Sequence, residues 1–476
     1  QWTLVLSFML FAMGLGSRLS RNFQDSLLEK FILIEFILSL LVSFSALLIY
    51  VISAYTIYHG LIIYLMSILI GLLIGLEIPL VTRLNESYEA LRVNIASVME
   101  NDYYGSLLGG LFFAFVGLPI IGLTYTPFIL GGINFLVALV LFWQFRDLII
   151  PYRRKLLILS TFMVLTIILS GLIFSKPIIL FGEQKRYKDK IVYEEQSKYQ
   201  KLVITQWKND YWLFINGSQQ FSTVDEELYH EPLVHPLMQL SKNPQNILVM
   251  GGGDGAAVRD ILKYPPVESI QLVDLDPAMT QLAKTHPVLL SVNDSSFYDP
   301  RVKIYNQDAY KFMVDTKDYF DLIIIDLPDP RTLELGRMYS KEFYTLCRQH
   351  LRPQGMLITQ SGSPYFSGRS FECIRQTMQA AGFNVTQMHN QVLTLGEWGW
   401  TIGAKHYNEA ELIKALRMID FSGVDTEWIN QEAMQLMTSF GKKEFFFDAE
   451  QEAVEINTIQ NPVLYQYYID GKWDLY

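Results

Sequence analysis

A glycine run and a series of carboxylates are the residues best placed to do chemistry together. Gly251-Gly252-Gly253-Asp254-Gly255-Ala256 lies between the strand-like NILVM and a helical pattern near 256–263. Residues without bulk at such a turn, here Gly251 and Gly253, let the backbone approach a ligand closely. Asp274, about twenty residues on and at a strand end, is placed to accept hydrogen bonds from ribose hydroxyls. After the next strand, Asp308-Ala309 is placed to read an adenine amino group. A plain tight turn would explain the glycines but not the acids that recur after the following strands. This order of glycine loop, ribose acid and adenine acid suits an adenosyl-sulfonium cofactor better than a dinucleotide. A second acidic pair, Asp326 and Asp329, follows the strand-like DLIIID. It either caps the helix after it or takes part in the chemistry.

These residues need a scaffold, and the pattern supplies one. From 246, buried strands alternate with helices: NILVM, SIQLVDLD, DLIIID and GMLITQ. The expectation is a C-terminal α/β Rossmann-like domain of the methyltransferase type over 226–405. A linker and small antiparallel β-sheet precede it over 177–225, with KLVITQW and YWLFING separated by the turn at Lys208-Asn209-Asp210. A helical extension over 406–476 opens with the amphipathic NEAELIKALRMI. Its tail, PVLYQYYIDGKWDLY, reads as packed or interfacial.

The first 176 residues are different in kind. Half of the 476 residues are apolar, and the excess is concentrated there, which predicts an N-terminal α-helical transmembrane bundle. Apolar stretches near 1–16, 30–56, 58–80, 103–120, 126–145 and 156–175 give six spans of about the length that crosses a bilayer. The start at Gln1, with a short first stretch, leads us to expect a further N-terminal portion. A cleaved signal peptide is disfavoured, because further spans follow and no basic segment precedes it. Gly71 and Gly75, and Gly105 and Gly109, each share a helical face and predict close helix packing. Glu35 and Glu77 at membrane depth imply either an interhelical hydrogen bond or a cation site. Basic residues in alternate loops place the C-terminal half outside by the positive-inside rule. A cofactor made in the cytoplasm argues for the inside, which is our expectation.

The formal charge is −10 and no block of Lys and Arg appears, so nucleic acid is not an expected partner and cationic ligands suit the charge better. Cys347 and Cys373 have no zinc-like spacing, and no metal is expected.

Taken together, SKYQ at 197–200, INGSQQFSTVDEELYHE at 215–231, GGGDGA at 251–256, VDLD at 273–276, QDAYKF at 307–312, IDLPDP at 325–330 and TQ at 359–360 resemble the polyamine aminopropyltransferase (spermidine synthase) family. The branch resembled carries a multi-span membrane domain in front, and the match covers roughly residues 190–405. The resemblance implies decarboxylated S-adenosylmethionine as co-substrate, a diamine such as putrescine as acceptor, and methylthioadenosine as by-product. It implies that Asp326 is the proton acceptor and that Asp329 holds the acceptor amine. Asp254 would bind the donor's amino group and disfavour the carboxylate of ordinary S-adenosylmethionine. Gln200 and Gln220 would contact the nucleoside. Tyr229 and His230 would lie on the acceptor side, with Gln360 facing the diamine.

The sequence departs from soluble relatives at Leu327-Pro328, between the two aspartates, and at Gly396-Glu397-Trp398-Gly399-Trp400. Glu397 and Trp398 either bind an alkylammonium together, by charge and cation–π attraction, or reshape the site for a different acceptor. Two other readings share the fold: a methyltransferase, and a non-catalytic polyamine sensor or transporter. Asp254 and the paired aspartates weigh against the first. Glu35 and Glu77 speak for a transporter, and an intact Asp326 speaks against it. A lipid bilayer is an expected partner, and a homo-oligomer is compatible with the sequence.

Overall fold

The computed structural model describes residues 2–53, 59–86, 91–441 and 453–473. The ends of two expected spans, near 54–58, and the last residues of the aromatic tail lie outside them. The chain divides into two compact units, Gln1–Lys188 and Asp189–Tyr476.

The first unit is helical: α1 (Trp2–Leu19), α2 (Leu27–Ser53), α3 (His59–Asn85), α4 (Leu91–Phe112), a π-helical stretch Phe113–Ile121, α5 (Gly122–Phe145) and α6 (Pro151–Arg186). Among the described residues, five runs are long and apolar enough to cross a membrane. One of them, Leu91–Leu148, is 58 residues long and contains two of the expected spans. Gly122, at φ 82° and ψ 169°, breaks the helix there. Thr126 Oγ1 then donates to the carbonyl of Gly117 at 2.7 Å, where a straight helix would hold them roughly 13 Å apart. The two expected spans within this run, 103–120 and 126–145, are parted at that break, and the described residues of this unit form six α-helices.

A Cβ on Gly71 would lie 2.5 Å from the carbonyl oxygen of Met9, and one on Gly75 2.1 Å from that of Met13. Only glycine allows α3 this close to α1. Gly105 and Gly109 have no neighbour within 4 Å among the described residues, so the second expected packing face is not used there. Glu35 is buried, and Glu77 Oε1 has no hydrogen-bond partner among the described residues. Helix α6 continues through Pro177 to Arg186, across residues expected to be linker. The residue one turn before a proline loses a single backbone bond, which a long apolar helix tolerates.

The second unit begins with a four-stranded antiparallel sheet, β1 (Lys190–Gln196), β2 (Lys201–Trp207), β3 (Asp210–Ile215) and β4 (Ser218–Ser222), in sequential order. Then follow α7 (Glu227–Leu240), β5 (Asn246–Gly251), α8 (Ala256–Leu262), β6 (Ser269–Asp274), α9 (Pro277–Thr285), α10 (Pro287–Val292), β7 (Val302–Asn306), α11 (Ala309–Asp315) and β8 (Phe320–Asp326). The chain continues with α12 (Leu333–Gly336), α13 (Lys341–His350), β9 (Leu351–Gly362), α14 (Gly368–Ala380), β10 (Asn384–Val392) and β11 (Gly396–Ala404). It ends with α15 (Glu409–Arg417), α16 (Gln431–Met437) and α17 (Leu464–Ile469).

Strands β5 to β11 form one seven-stranded sheet in the order β10-β11-β9-β8-β5-β6-β7. Its core is parallel, and β11 and β10 add an antiparallel edge. Residues 247–250 and 322–325 are fully buried, the continuous apolar run of a strand covered on both faces. Along β5, Ile247 and Val249 join one core while Leu248 and Met250 join the other. From β5 the chain winds outward to β7, then returns to β8 on the other side of β5. The crevice at the carboxyl ends of β5 and β8 is therefore the topological switch point, where such sheets bind ligands.

Candidate active site at the switch point

Gly251 pairs in register with Asp326 across that crevice. Gly251 has φ +81°, and a Cβ there would lie 2.0 Å from the carbonyl oxygen of Asp326. A Cβ on Gly253 would lie 2.5 Å from Asp274 Oδ2. Both glycines are required by close approach, and the turn they make opens a cavity of about 220 Å³. It is lined by Gln200, Gln220, Tyr229, His230, Gly251, Gly253, Asp254, Asp274, Asp308, Ala309, Asp326, Asp329, Gln360 and Trp398. Of the residues expected from sequence, only Glu397 is not brought to it. Consecutive side chains of a strand point to opposite faces, so Glu397 and Trp398 cannot both face the cavity. Glu397 pairs with His389 Nδ1 on β10 instead.

At the glycine-loop end, Asp274 Oδ1 accepts from the backbone N–H of Asp276 at 2.8 Å. Burial pushes Asp274 up to about 7, opposed by that N–H and reinforced by the charges of Asp276 and Asp254. Asp308 Oδ1 caps α11 by accepting from the N–H of Lys311 at 2.9 Å, and its other oxygen pairs with Arg337. Asp254 Oδ1 accepts from the N–H of Ala256 at 2.8 Å. Gln200 donates its N–H to Ser197 Oγ, which in turn donates to Asp276 Oδ2 at 2.6 Å. Gln220 Nε2 donates to the Ser218 carbonyl at 3.2 Å.

In the middle stands an acid–histidine cluster. Tyr229 Oη donates to Asp326 Oδ1 at 2.7 Å. His230 Nδ1 donates to Glu226 Oε2 at 2.7 Å, which leaves Nε2 4.0 Å from Asp254 Oδ1. Arg259 grips both oxygens of Glu226. Burial alone would lower the His230 pKa, but the Glu226 carboxylate, with Asp254 and Asp326, raises it to about 9. Burial lifts Asp326 to about 6, helped by the Asp254 charge and opposed by His230 and the Tyr229 hydroxyl. Ligand atoms of His230, Asp254 and Asp326 lie within 4.8 Å of one another, so two carboxylates and an imidazolium share one small space. Glu226 escaped the sequence reading, although its position four residues before His230 on one helix was a usable signal. Glu231, the last of the Tyr-His-Glu run, turns away and accepts N–H groups from Glu427, Trp428 and Ile429.

At the opposite end, Asp329 Oδ2 accepts from Tyr468 Oη at 2.6 Å and from Arg331 Nη2 at 3.3 Å. Gln360 Nε2 donates to the Leu327 carbonyl at 2.8 Å and reaches Asp329 Oδ1 at 3.4 Å. Burial raises the Asp329 pKa against these donors. Neither aspartate caps the next helix, because Thr332 Oγ1 accepts from the N–H of Leu335 and caps α12. Tyr468 was not singled out in the sequence, where its tail carried no chemical signal.

A doubly wound sheet with a glycine loop and an acid-lined cavity at its switch point has the form of a nucleoside-dependent transferase. The Spermine/spermidine synthase domain matches residues 226–414. The polyamine aminopropyltransferase of Oceanobacillus iheyensis is 38% identical over 100% of this chain and 91% of its own length. Polyamine aminopropyltransferase 2 of Aquifex aeolicus is 40% identical over 98% of this chain and 91% of its own. A solved spermidine synthase in complex with the transition-state analogue AdoDATO aligns with 52% of this chain and 85% of its own, at 25% identity and TM-score 0.48. The chain belongs to the polyamine aminopropyltransferase family. It is a spermidine synthase-like aminopropyltransferase, and enzymes of this kind use decarboxylated S-adenosylmethionine.

Proposed function

We propose that the chain transfers the aminopropyl group of decarboxylated S-adenosylmethionine to putrescine, giving spermidine and methylthioadenosine. The observation that carries this reading is the convergence of Asp254, His230 and Asp326 within 4.8 Å at the switch point, between a nucleoside-sized donor end and the carboxylate of Asp329. In the donor, Asp274 takes the ribose hydroxyls, Asp308 and Ala309 the adenine, and Gln200 and Gln220 the nucleoside edge, above the Gly251 and Gly253 turn. Asp254 holds the ammonium of the aminopropyl arm. The acceptor lies past Tyr229, His230, Trp398 and Gln360, with its far ammonium on Asp329.

The near amine of the acceptor, in its neutral form, attacks the methylene carbon beside the sulfonium. The new C–N bond forms as the C–S bond breaks, and its electron pair goes to sulfur, which leaves neutral as methylthioadenosine. The proton shed by the nitrogen goes to Asp326. An amine has an intrinsic pKa near ~10, so a carboxylate lifted to about 6 is a better acceptor for its proton than an ordinary aspartate. Holding amine and carbon in line supplies the rest through proximity.

The test is to incubate the purified full chain with decarboxylated and ordinary S-adenosylmethionine and a panel of diamines and triamines. Methylthioadenosine and polyamine products are followed by mass spectrometry. Spermidine from putrescine is the expected main product; faster turnover of another acceptor would replace putrescine in this reading. We further infer that the helical unit anchors the enzyme in the cell membrane with the catalytic unit facing the cytoplasm. Cys347 and Cys373 are buried, so a cysteine placed at the exposed Ala410 should label only after cells are permeabilised. Labelling from outside would reverse the orientation.

A further inference from the structure

The carboxylate assigned to the acceptor ammonium is not free on its far side. Asp329 Oδ2 is held by the Tyr468 hydroxyl at 2.6 Å and by Arg331 Nη2 at 3.3 Å. Arg331 Nη2 also donates to Tyr468 Oη at 3.3 Å, and its Nη1 donates to Ser218 Oγ at the start of β4. Neither Arg331 nor Tyr468 lines the cavity, so both back Asp329 from behind. The tail that brings Tyr468 here is fixed in place. Trp473 Nε1 donates to the Tyr468 carbonyl at 2.7 Å, the two rings lie 4.7 Å apart, and Tyr468 is only 3% exposed.

This arrangement has two consequences for a cationic chain entering the cavity. Tyr468 fixes one carboxylate oxygen of Asp329 and turns the other, Oδ1, toward Gln360 and the cavity, so the acceptor's ammonium meets an oriented oxygen. Beyond that contact stands a guanidinium. A second ammonium extending past Asp329 would face the half-exposed guanidinium of Arg331, a like charge that disfavours it.

Resting on the acceptor reading above, we propose that Tyr468 is a positioning residue for the acceptor and that Arg331 closes the acceptor site to longer polyamines. The C-terminal segment thus sets diamine-over-triamine selectivity.

The test uses the full chain carrying Tyr468→Phe, Arg331→Gln or Asp329→Asn, with steady-state kinetics on putrescine and spermidine and donor binding by calorimetry. Tyr468→Phe keeps the packed ring and loses one hydrogen bond to a carboxylate. The putrescine KM should rise about tenfold while kcat and donor Kd stay near wild type. Arg331→Gln should raise the kcat/KM of spermidine relative to putrescine by about tenfold. Wild-type KM and selectivity in both variants, or a fall in kcat alone, overturns the proposal. If that result comes with a raised putrescine KM in Asp329→Asn, the acceptor reading stands and only the role of the tail falls. A wild-type KM in Asp329→Asn overturns the acceptor reading and this proposal together.

Discussion

The two ends of the catalytic cavity are built in opposite ways. The proposed donor end is made by short, local pieces: the glycine turn after β5, Asp274 at the end of β6 and Asp308 before α11. Each follows its strand directly, so the parallel sheet alone delivers them to one place. The proposed acceptor end is gathered from far apart in the chain. Tyr229 comes from α7, Asp329 from the loop after β8, Gln360 from β9, Trp398 from β11 and Tyr468 from α17. The winding of the fold places the first end, and the second depends on tertiary contacts between distant segments.

If this division is real, substitutions at the junction and at the two ends should fail in different ways. The largest effect belongs to the junction. Asp326→Asn should lower kcat by about 10²–10⁴-fold, the usual contribution of a general base. Donor affinity, measured by calorimetry, should stay near wild type. Full turnover in this variant would mean that the proton leaves by another route.

Next comes the donor end. Asp274→Asn should weaken donor binding by roughly ten- to a hundredfold through the loss of a charge-assisted hydrogen bond. The acceptor KM should not move. If both affinities fall together, the ends are coupled and the division is wrong.

The same division explains what the sequence could reveal. The glycine loop, its two following acids and the buried strands were legible, because each signal is contained in a short window with a fixed physical meaning. Glu397 was misplaced because a run of residues was read as one surface, whereas β11 sends Glu397 and Trp398 to opposite faces. Tyr468 was invisible, because its hydrogen bond spans from α17 to the loop after β8 and no local pattern encodes it. In the helical unit, the apolar stretches marked the helices. The break at Gly122 falls in the gap between two expected spans, whereas the extension of α6 across Pro177 depends on backbone geometry that composition does not register. Among the described residues Gly71 and Gly75 meet a neighbouring helix and Gly105 and Gly109 meet none, because identical spacing does not specify where a neighbour lies.

A smaller effect should appear at Asp254, the residue proposed to face the donor arm. Replacing it with Asn removes the charge that attracts an ammonium and repels a carboxylate. The preference for decarboxylated over ordinary S-adenosylmethionine should drop by about tenfold in competitive calorimetric titration. An unchanged preference would assign donor choice to another residue and blur the contrast between the ends.

The finest test concerns the pH profile, because it asks whether the junction senses both ends. Asp326 must be ionised to accept a proton, and burial with the Asp254 charge raises it to about 6. Activity should therefore be lost as pH falls through about 6, in kcat/KM for the donor at acceptor well below its KM, which reports the free enzyme. Asp254 is a like charge that raises Asp326, so Asp254→Asn should move this limb to lower pH. His230, charged up to about 9 because Glu226 outweighs its burial, lowers Asp326. His230→Gln should move the limb to higher pH, and Glu226→Gln should act in the same direction by letting His230 lose its proton. Each displacement is expected to be about one unit, the scale of a neighbouring charge. The position of the limb, rather than its height, is the readout, so weakened binding in any variant does not obscure the sign. Opposite shifts from Asp254 and His230 would identify Asp326 as the titrating base within this cluster. Shifts of the same sign, or none, would place the observed ionisation on another group.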